Sequence, residues 1–213
     1  MTVVPPPEPE PGAPARLGLG AVLRLGRDAE GRDAQLGLAS VQVGPPLRAD
    51  LRVMLGPLAL QVVARKGLVV PVGRGLVELL AIDAAGKAVE LRWPRPLPDD
   101  PAAWDLVSPH REGDDGRTLL REMSFCRLPD GAWVAVGNVV VGELPGGDLA
   151  ASAWLHVYPP TYVEDPLQDY DRHRAVAGAA LDGKVLRLTV EQVEAGDVDA
   201  RRFGFVAVRL RKS

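Results

Sequence analysis

Two of the three histidines sit among carboxylates. His110 opens the run His110-Arg111-Glu112-Gly113-Asp114-Asp115, and His173 follows Asp165, Asp169 and Asp171. An imidazole nitrogen with several carboxylate oxygens is a donor set that suits a divalent cation. If the loops 108–117 and 159–174 meet, His110, Asp114, Asp115, Asp165, Asp169, Asp171 and His173 supply such a set, and the chain would be a metal-dependent enzyme or a metal-binding domain. The spacing matches no established ligand motif, because HExxH, HxH and CxxC are all absent. A calcium loop begun at Asp169 fails at Arg174, where a glycine is required, and at Ala180, where the closing glutamate belongs. Both loops also carry arginines able to neutralise their acids: Arg111 and Arg117 in one, Arg172 and Arg174 in the other. No cofactor other than such a metal is suggested.

A second constellation is aromatic. Trp154, Tyr158 and Tyr162 lie close to the long loop 159–174 and would serve as a stacking platform in a carbohydrate-binding module. The competing reading is core filling: with three Phe and a single Ile, the large rings are what Leu and Val must pack around. The lone cysteine, Cys126, has no partner for an intramolecular disulfide, and its place in Met123-Ser124-Phe125-Cys126 reads as a buried, inert thiol.

Near the C-terminal end, Arg201-Arg202-Phe203-Gly204-Phe205-Val206-Ala207-Val208 resembles the RNP1 motif of RNA-recognition domains, whose strand displays rings for stacking on bases. The basic residue, both phenylalanines, the glycine between them and the valine agree. Arg202 stands where that family has glycine and Val208 where it has an aromatic. The helix and fourth strand that should follow have no room in the five residues after Val208. The segment therefore reads as a closing antiparallel strand with Phe203 and Phe205 packed inward, and Arg209, Arg211 and Lys212 leave an acidic partner open. No nucleophile elbow, dinucleotide loop or P-loop is present.

The elements that must position these residues are strands. Leu17, Leu19, Ala21, Leu23 and Leu25 alternate with smaller or polar residues. Leu36, Leu38, Val41 and Val43 continue the pattern beyond a turn-rich stretch. Leu47, Ala49, Leu51, Val53 and Leu55 face one way while Arg48, Asp50 and Arg52 face the other, the period of a half-buried strand. Further strands are expected near 58–65, 68–72, 76–82, 88–93, 118–128, 132–141, 149–158, 184–193 and 201–210, with Arg174–Leu181 open between helix and strand. Asp100-Pro101 is a good helix cap and first turn, so one short helix is expected over 101–107.

Ten to twelve short strands with Gly and Pro at their joints predict an all-β protein, an antiparallel β-sandwich or barrel with long loops. Residues 1–15, Pro-rich over 5–14, form an extended or disordered arm, and 16–213 a single β domain. The alternative is two subdomains, 16–93 and 117–213, joined by 94–116. The 23 Gly and 20 Pro, the 21 Arg against four Lys, and the single Ile82 and Asn138 resemble the output of a GC-rich bacterial or phage genome. A net charge of −3 gives no electrostatic case for nucleic acid or an anionic membrane. No secretory signal or membrane span is legible, so a soluble protein of the cytoplasm or of an assembled particle is expected. The function expected is non-enzymatic: a structural or protein-interaction β domain with a protein partner or further copies of itself, possessing the traits of a subunit or accessory of a bacterial or phage-like assembly.

Overall fold

The computed structural model describes residues 12–27, 31–73, 75–96, 110–112, 116–128, 130–162, 170–197 and 202–211, with backbone alone at 93–96 and 110–112. Eighteen strands and no helix occur among them. Every described pairing is antiparallel, and no sheet closes into a barrel. The helix expected over 101–107 lies outside the described residues, as do residues 1–11 of the Pro-rich arm. Pro14 already pairs with Arg92, so the ladder starts inside the stretch read as an arm. No helix of the described residues is long and apolar enough to cross a membrane. The chain divides into two compact units, one of Met1–Gly56 with Gln61–Leu97, the other of Pro57–Leu60 with Pro98–Ser213.

The first eight strands are β1 (Pro14–Gly18), β2 (Val22–Arg27), β3 (Asp33–Gln42), β4 (Arg48–Leu55), β5 (Leu58–Ala64), β6 (Val69–Val72), β7 (Gly75–Asp83) and β8 (Ala88–Pro96). They form two four-stranded sheets, ordered β1-β8-β7-β6 and β2-β3-β4-β5. The single run read from Arg16 to Leu25 breaks at Gly20 (φ 74°), and its halves join different sheets. In β4 the period of two holds for Ala49, Leu51, Val53 and Leu55, all buried, with Arg48 and Arg52 exposed. Asp50 departs from it. A β3 bulge lies between Leu38 and Ser40. Ser40 Oγ and Gln42 Nε2 both donate to Asp50 Oδ2, so that oxygen is hydrogen-bonded in the interior, while Oδ1 is buried with no hydrogen-bond partner among the described residues.

The other ten strands are β9 (His110–Glu112), β10 (Thr118–Arg121), β11 (Ser124–Arg127), β12 (Trp133–Val136), β13 (Val140–Glu143), β14 (Leu149–Tyr158), β15 (Asp171–Val176), β16 (Ala180–Asp182), β17 (Arg187–Glu194) and β18 (Phe205–Leu210). One sheet runs β16-β17-β18-β10-β9. The other runs β11-β12-β14-β13, with β15 on the far side of β14. A single buried cluster draws Leu120, Leu188, Val190 and Val206 from the first and Cys126, Val134, Leu155 and Val157 from the second. Each fully buried aliphatic side chain contributes about 1.5–3 kcal/mol.

Several strands are shorter than the sequence suggests, and the count rises accordingly. The run 118–128 is cut at Glu122-Met123, where Met123 adopts φ 54° and the chain passes from one sheet to the other. The run 132–141 is cut at Gly137-Asn138-Val139. Arg174–Leu181 resolves as the end of β15, a turn at Gly178 (φ 83°) and the start of β16.

Candidate functional site

Alternation along β14 sends Ala153, Leu155 and Val157 into the core and Trp154, His156 and Tyr158 to the opposite face. Cross-strand register completes that face: Trp133 lies opposite Tyr158, Arg172 opposite His156 and Arg174 opposite Trp154. Tyr158 is only 3% exposed, and its hydroxyl donates to the Ala59 carbonyl at 2.8 Å. Its ring is 4.7 Å from that of Tyr162 and 4.9 Å from that of Tyr170, nearly parallel to the latter. His156 lies 5.5 Å from the Tyr170 ring. Trp154 is 45% exposed, with the Arg172 guanidinium 4.3 Å above its ring. Burial, then the neighbouring Arg172 charge, lowers the His156 pKa to about 4, so its imidazole is neutral at physiological pH.

Of the three aromatics singled out by sequence, Tyr158 and Tyr162 are therefore together in one ring cluster. Trp154 shares Tyr158's strand face but is occupied by Arg172. Trp154 and Tyr170 are the exposed rings of this face, while Tyr158 is buried beneath them in the manner of core filling.

The acidic and histidine residues sort differently. Asp171 and His173 come together on the core side of β15. Asp171 Oδ2 accepts the Val185 N–H at 2.8 Å, and a Cβ on Gly183 would stand 2.3 Å from that oxygen and 2.9 Å from His173 Nε2. His173 Nε2 is buried with no hydrogen-bond partner among the described residues. His110 lies on β9, and β10, β18 and β17 stand between it and β16, whose turn Asp171 and His173 contact. Asp114, Asp115, Asp165 and Asp169 lie outside the described residues. Among those described, no group of three His, Cys, Asp or Glu could hold a metal. Cys126 is fully buried and its pKa is raised to about 11 by burial, which keeps it a thiol. Phe203 is buried beneath the Arg121 guanidinium, 5.2 Å from its ring centre, and Phe205 is half-buried.

Two features were not singled out from the sequence. One is Glu122, buried at the β10–β11 corner: Oε1 accepts the Gly204 N–H at 2.6 Å and Oε2 the Val139 N–H at 2.9 Å. The other is the β13–β14 hairpin. β15 ends where Val176 meets Ser152, so the ribbon from Val140 to Ala151 runs on beyond it. Val140, Val141 and Leu149 are 53%, 64% and 76% exposed. Val141 and Leu149 lie on the face that Ala151 and Ala153 carry into the core, so the core face continues outward into solvent. The turn Leu144-Pro145-Gly146-Gly147-Asp148 between apolar runs is the sequence signal for this hairpin.

Set against known protein families, curated proteins and solved structures, the chain has no match in any of the three.

Proposed function

We propose that the protein is a non-enzymatic interaction domain whose two units are β-sandwiches, and that it serves as a subunit or accessory of a larger assembly, of bacterial or phage type on its composition. The observation that carries this reading is the projecting hairpin with Val140, Val141 and Leu149 in solvent. A two-stranded ribbon is at best marginally stable by itself. Apolar side chains on such a ribbon gain most when another surface covers them.

The test is association of the full chain. Light scattering and crosslinking against a lysate of its host are to be run on the wild type and on a Val141→Asp, Leu149→Asp variant. Both positions are exposed, so circular dichroism should stay unchanged. A complex that the variant loses supports the reading. A dilute monomer with no retained partner overturns it.

A further inference from the structure

We infer that the outer edge of β13 receives an extended, basic segment of another polypeptide as an added strand. This rests on the interaction-domain reading and names the surface and the partner's chemistry. β13 pairs only with β14, so among the described residues no strand meets its other edge, and alternate N–H and C=O groups of Val140–Glu143 point outward. Proteins blunt such an edge with charge, proline, a bulge or a very short strand. β13 has no lysine, proline or bulge; it is a four-residue strand, Val-Val-Gly-Glu, whose single charge is the exposed Glu143 at its end. Backbone pairing along the edge, with apolar contact on the side chains of Val140 and Val141, is the way extended segments bind sheet edges.

Charge selects among the possible occupants. The hairpin from Val140 to Ala151 contains two acids, Glu143 and Asp148, and no Lys or Arg. Glu143 and Asp148 are exposed on the hairpin itself. A second copy paired through β13 would set two ribbons with acids and no base against each other. A strand bearing Lys or Arg opposite Glu143 turns the same charge into an attraction.

The experiment uses the full chain and two blocked hexapeptides, Lys-Val-Lys-Val-Thr-Val and its counterpart with Glu for Lys, followed by amide hydrogen exchange. The lysine peptide is expected to slow exchange of the outward β13 amides by about tenfold, to bind more weakly in high salt, and to lose its effect on Val141→Lys, whose circular dichroism should match the wild type. The glutamate peptide is expected to leave exchange unchanged. The inference is overturned if neither peptide protects β13, if both do so equally, or if protection without peptide rises with protein concentration, which would mean a second copy. Association that persists in Val141→Lys overturns this inference while leaving the interaction-domain reading intact. A wild type that associates with nothing, peptide or protein, overturns both.

Discussion

Glu122 and Gly204 are joined by a 2.6 Å hydrogen bond across 82 residues of sequence, the carboxylate accepting from the backbone N–H. The second oxygen takes the Val139 N–H, so one side chain ties the β10–β11 corner to the links before β13 and β18. There is no room for a larger residue at Gly204: a Cβ would lie 2.7 Å from the Glu194 carbonyl oxygen and 2.8 Å from the Gly196 nitrogen.

Removing either partner should therefore cost stability. Glu122→Ala leaves two buried N–H groups unsatisfied and is expected to destabilise the protein by about 2–4 kcal/mol. Gly204→Ala forces backbone apart and is expected to cost about 1–3 kcal/mol. Urea unfolding measures both, and a wild-type midpoint for either variant would show that the tie carries no weight.

The same carboxylate gives stability a pH dependence. Burial raises the Glu122 pKa above 4.5, outweighing the lowering by the Gly204 and Val139 N–H groups and the Arg121 charge. The protonated form thus favours the fold. Its contribution is fully present below the unfolded value and is lost as pH rises through the raised folded one. Measured against Glu122→Gln, the wild type should gain stability on acidification from neutral pH toward 4.5. A gain in the opposite direction would reverse the assignment.

His156 behaves with the other sign. Its pKa is lowered from 6.5 to about 4, so the neutral ring favours the fold, and that contribution, present above 6.5, is lost as pH falls toward 4. Arg172→Ala removes one of the two causes and should move the His156 midpoint upward in an NMR titration. It also strips the guanidinium from Trp154, a loss of about 0.5–1 kcal/mol at an exposed site. An unmoved His156 midpoint would show that burial alone sets it.

Much of the strand content could be read from local pattern. Ala49, Leu51 and Val53 are buried because alternation puts them on one face, and no distant residue is needed to decide it. Asp50 could not be read this way, since its burial depends on a bulge in the neighbouring strand. The cut at Glu122-Met123 was hidden for a similar reason: what satisfies Glu122 lies 82 residues away at Gly204. At the candidate site, Tyr158 and Tyr162 are near in sequence and near in space. Tyr170 joins them only because β15 returns alongside β14. The exposure of Val140 and Val141 escaped the pattern because apolar β-branched residues read as strand whether covered or not.

β18, the last of the described strands, is inserted between β17 and β10 rather than added at a margin. During synthesis at about 5–20 residues per second, the 82 residues from Glu122 to Gly204 take about 4–16 s to appear. From the completion of β14 at Tyr158 onward, β10 has its β18 flank unfilled while the apolar β13–β14 ribbon has already been made. The nascent protein thus passes through a window of seconds in which two sticky edges coexist, and slow, long-range closure of this kind is where chaperone dependence arises.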